Sequence, residues 1–173
     1  TNCYAIKLPS TISEHRDYLL HVSENCKKPI VISTGMTDLD YEEWILEKFL
    51  GCKKLYLLQC SSAYPTPIEA CNIAVVKHYE EIARDHPNIV PGYSSHDDGW
   101  FGSALAVAAG AKMIEKHVKI GITEWAHFDA VALDLNTNEF MNYVEKIRES
   151  EIVLGNKLKR INDHENHKYK WRV

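Results

Sequence analysis

Five short apolar runs in this chain each end in residues able to bind or activate a ligand. Lys7 and Ser10 close the first run, Ser33, Thr34 and Gly35 the second, and Cys60, Ser61, Ser62 and Tyr64 the third. Ser94 and His96 close the fourth, and Glu115 and His117 the fifth. Side chains along a strand alternate between faces, so Glu115 and His117 share one face while Ile114, Lys116 and Val118 take the other. Ser94 and His96 share a face in the same way if their strand extends that far. Two imidazoles from neighbouring strands can converge on one divalent ion, with oxygens filling the rest of its shell. Taken singly, His96 reads as a loop histidine and His117 as a hydrogen-bonded core residue. Together, beside Glu115 and a ring of serines, they point to a metal. Lys7 ends an otherwise apolar strand, where an ammonium needs an anion. Ringed by hydroxyls, it suits a phosphate, although strand-end serines also serve simply as helix or turn caps.

These residues need a frame that brings five strand ends to one edge. The runs Tyr4–Leu8, Pro29–Ser33, Leu55–Cys60, Ile89–Ser94 and Lys112–His117 read as strands, and helical stretches separate them. Those helices pass through Tyr18–Val22, from Thr37 and Asp38 to Phe49, from Ile73 to Arg84, from Phe101 to Gly110 and from Asn138 to Leu154. Thr37 and Asp38 are cap residues, and Gly51 is placed to close its helix in the left-handed conformation. Five βα units in series imply a parallel sheet with right-handed crossovers. No glycine-rich nucleotide fingerprint follows the first strand, which argues against an open doubly wound sheet. Active-edge residues on every strand favour an arc of a (β/α)8 barrel. The expected organisation is a barrel-type domain over residues 1–156 and a polar linker or tail over 157–173.

Composition narrows the functional classes. The 173 residues carry a formal charge of −4, with acidic and basic side chains interspersed, so neither nucleic acid nor a membrane surface is an expected partner. The five cysteines, Cys3, Cys26, Cys52, Cys60 and Cys71, form no C-x-x-C pair. Free thiols in a reducing, cytoplasmic setting are expected. The sequence opens without a basic, then apolar, leader. A complete barrel usually needs about 250 residues, so five units make only part of one, and the open edges of such an arc invite pairing.

Several segments, in order, resemble the sialic acid synthase family: Lys7-Leu8-Pro9-Ser10, Lys28 to Met36, Cys60 to Pro67, Gly92-Tyr93-Ser94-Ser95-His96 and Gly110 to His117. The resemblance implies that the chain corresponds to barrel strands 4 to 8, a partial TIM barrel. It further implies a phosphoenolpyruvate-dependent condensation with N-acetylmannosamine or a related amino sugar, giving a nine-carbon acid and phosphate. Residue by residue, Lys7, Ser10, Ser33, Ser62 and Ser94 resemble phosphoenolpyruvate contacts. His96 and His117 resemble ligands of a divalent metal, manganese first, with magnesium or cobalt as alternatives. Glu115, Tyr64 and Asp129 resemble groups at the acceptor sugar and reacting centre. A homodimer is implied for the full-length protein.

The sequence departs from the family pattern at Gln59, where histidine is usual, at Ser95, where aspartate is usual, and along Phe128–Leu133. These changes leave the acceptor open. Another phosphoenolpyruvate aldol synthase, or a non-catalytic partial barrel used in binding or assembly, are the rival readings.

Overall fold

The computed structural model describes residues 2–123 and 125–165. Strands β1 (Ile6–Leu8), β2 (Ile30–Ser33), β3 (Leu55–Cys60), β4 (Ile89–Ser95) and β5 (Met113–Lys116) form one parallel sheet in chain order. Helices α1 (Arg16–Asn25), α2 (Leu39–Phe49), α3 (Ala74–Asp85) and α4 (Phe101–Ala108) connect them, and α5 (Glu139–Leu154) follows. The strand order never reverses, so the expected arc of a barrel stands and the doubly wound alternative falls.

The two sheet faces follow from alternation along each strand. Leu8, Ile30, Ile32, Leu55, Leu57 and Ile89 point outward and pack against Leu19 of α1, Tyr41, Ile45 and Phe49 of α2, and Tyr79 of α3. Each fully buried aliphatic side chain there contributes about 1.5–3 kcal/mol. The alternate positions Val31, Tyr56 and Leu58, with Val90 and Met113, form a second cluster on the concave face. This face is the barrel interior, and its strand ends carry the polar groups described below.

Helix termini refine the expectations. Asp38 caps α2, its Oδ1 accepting from the Tyr41 N–H at 3.0 Å. Gly51 does not take the expected left-handed conformation: Leu50 closes α2 with φ −58°, and the chain turns through Cys52 N–H donating to Phe49 O. Glycines with positive φ follow two other helices instead, Gly110 after α4 with φ 110° and Gly155 after α5 with φ 62°. Beyond β5 a feature not expected from sequence appears, a two-stranded parallel pair of β6 (Val118–Lys119) and β7 (Leu133–Asp134). It anchors the loop that covers the strand ends.

Cys26, Cys52, Cys60 and Cys71 are free thiols. Among the described residues no helix is long and apolar enough to cross a membrane. Residues 157–165 carry no helix or strand and are exposed, while the remainder of the expected tail, 166–173, lies outside the described residues.

Candidate functional site

The register sets Cys60 beside Ser94, and Ser94 beside Glu115, on the concave face. Lys7 Nζ donates to Ser33 Oγ at 2.8 Å and lies 3.4 Å from Glu115 Oε2. Ser33 Oγ donates to that same carboxylate oxygen at 3.2 Å. The anion that Lys7 requires is therefore partly supplied by the protein itself, across the mouth of the arc. Ser10 Oγ accepts from the Gly35 N–H at 2.9 Å and donates to Cys60 Sγ at 3.6 Å.

Ser62 is the informative member of this group. Its Oγ is buried and, among the described residues, is the one such side-chain atom without a hydrogen-bond partner. A Cβ placed on Gly35 would meet Ser62 Oγ at 2.2 Å and Ser10 Oγ at 2.7 Å. Glycine at 35 thus keeps two hydroxyls and a backbone N–H close together around a small gap. An unpaired buried hydroxyl costs about 1–3 kcal/mol. An oxyanion in the gap would recover it.

The second half of the site is aromatic. The rings of His96 and His117 lie 5.1 Å apart, tilted by 32°. Tyr64 covers His96 at 4.2 Å and stands 5.7 Å from His117. Phe128 stacks on His117 at 4.7 Å, and His127 sets its edge against Tyr64 at 4.8 Å. The loop carrying Tyr64 is fixed by Thr66, whose N–H donates to His96 O at 2.8 Å and whose hydroxyl reaches Ser61 O and Ala63 O.

Electrostatics link the two halves through Cys60. Burial pushes its thiol up, but hydrogen bonds and charge from His96, then hydrogen bonds from Ser10 and Ser94, bring it below the ordinary value. His96 moves the opposite way: burial pulls it down, and the Cys60 contact and the Ser61 carbonyl more than offset this, so it is raised. His117 is lowered by burial and by the neighbouring His96. Burial, with the Cys60 and Glu115 charges, raises Tyr64.

The residues expected at the site divide into two groups. Lys7, Ser10, Ser33, Ser62, Ser94, Glu115, Tyr64, His96 and His117 gather on this face. Asp129 is engaged elsewhere: Lys119 Nζ pairs with its Oδ2 at 2.7 Å, and Thr123 donates to its Oδ1 through both backbone and hydroxyl. Its carboxyl is held down at about 2 by these partners, Lys119 foremost. Asp129 thus ties the covering loop together. The sequence marks Cys60 as a strand-end residue without giving it a role, and gives none to His127 or Phe128. The register supplies the role of Cys60 by setting it beside Ser94. His127 and Phe128 lie in an irregular loop with no periodic signal.

The donor set suits a divalent metal held by two imidazoles. His96 Nδ1 faces Ser61 O at 2.9 Å, which fixes it as the protonated nitrogen and leaves Nε2 for a ligand. No hydrogen bond among the described residues occupies either nitrogen of His117. With ring centres 5.1 Å apart, His96 and His117 are the residues that would hold such an ion, and it would supply Lewis-acid chemistry there. No group of three or more potential ligands occurs among the described residues, so among them the two histidines stand without a third ligand.

Comparison with known proteins follows the same outline. A family model described as the NeuB family matches residues 1–159. The chain is 34% identical over 135 residues to the mouse N-acetylneuraminate-9-phosphate synthase, covering 78% of this chain and 36% of that protein. It is 31% identical over 166 residues to the N,N'-diacetyllegionaminic acid synthase of Legionella pneumophila, covering 92% of this chain and 45% of that protein. In fold it is similar to the N-acetylneuraminic acid synthetase of Leptospira borgpetersenii, solved with citrate, with a TM-score of 0.78 and 21% identity, covering 94% of this chain and 55% of that one. The chain therefore spans less than half the length of these two curated relatives.

Proposed function

This chain belongs to the NeuB family, and from that premise we propose that its concave face forms part of the active site of a sugar-acid synthase. The reaction is the condensation of phosphoenolpyruvate with N-acetylmannosamine or a related amino sugar. Carbon 3 of phosphoenolpyruvate bonds to the aldehyde carbon of the open-chain sugar, and the aldehyde oxygen takes a proton. Water adds to carbon 2, now electron-poor, and the tetrahedral adduct releases phosphate to leave the 2-keto acid.

On this reading Lys7, Ser10, Ser33 and Ser62 hold the phosphate and carboxylate of phosphoenolpyruvate, and Ser94 borders the same face. Glu115, already bridged to Lys7 and Ser33, positions or deprotonates the attacking water or a sugar hydroxyl. Tyr64 packs against the acceptor, and Asp129 supports the loop that shields it from water. His96 and His117 would hold a divalent ion, manganese foremost, whose contribution when bound is Lewis-acid polarisation of the aldehyde. The full-length protein would work in the cytoplasm as a homodimer, with further βα units completing the barrel.

The observation that carries this reading is the Ser62 hydroxyl, buried without a partner beside Ser10 and Gly35. An anion seated there would give this hydroxyl a charged acceptor. The test is phosphate release from phosphoenolpyruvate in a complete eight-stranded barrel carrying these residues, with N-acetylmannosamine and Mn2+. Turnover that Lys7→Met lowers by about 10-fold or more, the worth of a charge-assisted hydrogen bond, supports the proposal. Turnover indifferent to Lys7 and Ser62 refutes it.

A further inference from the structure

The convex side of the sheet, directly behind the two histidines, holds polar groups that the proposed reaction does not use. Tyr93, Ser95 and Lys116 alternate away from the concave face. Tyr93 is 1% exposed, Ser95 0% and Asp97 2%. Tyr93 Oη donates to Asp97 Oδ1 at 2.7 Å, and Ser95 Oγ donates to the same oxygen at 2.8 Å. Lys116 Nζ donates to Ser95 Oγ at 3.1 Å and to the Asp97 carbonyl at 2.5 Å, with the Tyr143 ring of α5 beneath it at 5.9 Å. The start of α4 leaves room for the carboxylate: a Cβ on Gly102 would meet Asp97 Oδ2 at 2.4 Å.

These groups bracket the histidines in sequence. Ser95 and Asp97 flank His96, and Lys116 precedes His117. One hydrogen-bonded chain therefore joins the end of β4 to the end of β5 from behind. In front, Thr66 pairs with Asp97 as an isolated bridge and donates to His96 O. The segment Ser95–Asp97 is clamped on both sides. The surrounding cluster of Val76, Tyr93, Ala106 and Ala111 is otherwise apolar. A buried polar network gains little stability over apolar packing of the same volume but admits far fewer geometries. Direct hydrogen-bond partners of a ligating ring change metal affinity by about 10–100-fold when removed; Asp97 and Lys116 act on the same ring orientation through the backbone on either side of the histidines.

We propose that Asp97 and Lys116, joined through Ser95 and Tyr93, are positioning residues that set the distance and tilt between the His96 and His117 rings. The inference rests on the proposed role of those histidines, and its test is built to separate the two. The 173-residue chain and its variants D97N, K116M and K116R are compared by thermal unfolding, by 1H–15N spectra of the histidine rings without metal, and by Co2+ titration followed in visible absorption. Folded D97N and K116M should show broadened or split His96 and His117 ring signals and Co2+ affinity lower by about 10-fold or more. K116R should restore both towards the starting values. If D97N or K116M fails to fold, Tyr93→Phe, which removes the hydroxyl that Asp97 and Cys71 share, decides with the same change in smaller degree. Unaltered ring spectra in a folded variant overturn the proposal. Absence of Co2+ binding by the unsubstituted chain would defeat the metal reading, and the metal-free ring spectra would still decide whether Asp97 and Lys116 position the histidines.

Discussion

Replacing Ser62 by alanine should move stability and ligand affinity in opposite directions. The hydroxyl is buried and unpartnered, so the ligand-free chain bears a desolvation cost of about 1–3 kcal/mol for it. Removing the oxygen alone leaves only a small void, and we take a net gain of about 1 kcal/mol. For a chain of this size that is a rise in Tm of roughly 2–4 °C. Bound phosphoenolpyruvate loses one hydrogen bond to a charged oxygen, about 1.5–3 kcal/mol, or roughly 10–150-fold in affinity. Ser61 provides the control, because its hydroxyl already donates to Ala70 O at 2.6 Å. Ser61→Ala should lower Tm and leave affinity nearly unchanged. Differential scanning calorimetry and 31P line-shape titration with phosphoenolpyruvate measure the two quantities. A Ser62→Ala chain that is less stable, or that binds phosphoenolpyruvate as before, would show that the orphan hydroxyl is not aimed at a ligand.

Three further outcomes follow from the same geometry. Lys7→Met should weaken phosphoenolpyruvate binding by about 10-fold or more; its effect on Tm should be small, because Lys7 and Glu115 are each about a third exposed and such pairs contribute about 0–1 kcal/mol. A large loss of stability with intact binding would reverse their roles. His117→Ala should lower Co2+ affinity at least about 10-fold with little change in fold, since among the described residues neither ring nitrogen has a hydrogen bond to lose; unchanged metal binding would remove His117 from the ligand set. Asp129 is lowered on folding to about 2 by Lys119 and Thr123, so its hold on the covering loop is complete above the unfolded value of about 4 and is lost as pH falls through 2. An NMR titration of the Thr123 amide should show that midpoint, and Lys119→Met should raise it; a midpoint unchanged by Lys119→Met would argue against the clamp.

Much of this architecture is legible in the sequence because alternation and strand order are local properties. Ile30-Val31-Ile32 and Leu55 to Cys60 are short apolar runs bounded by turn residues, and period-two spacing puts Glu115 and His117 on one face of their strand; that this face is the concave one is visible only in the structure. The same rule puts Lys116 on the opposite face, and extends to Tyr93 and Ser95, but their purpose depends on Asp97 folding back behind the strand. That is a tertiary fact. Gly51 misled because a glycine after a helix usually supplies a left-handed cap, whereas here a tight turn from Phe49 to Cys52 ends α2 first. Asp129 is placed at the reacting centre by the family resemblance alone; its commitment of both oxygens to Lys119 and Thr123 is visible only in the structure. The β6–β7 pair is two residues per strand, too short to leave a periodic trace.

The central claim is that the concave strand ends bind phosphoenolpyruvate, and a 1H–15N titration of the chain with this ligand tests it most directly. The account predicts saturable shifts centred on the amides of Gly35, Ser62 and Ser10, with Lys7→Met weakening the response by about 10-fold or more. Shifts centred on another surface, or none at Gly35 and Ser62 at ligand concentrations that saturate the rest, would contradict it.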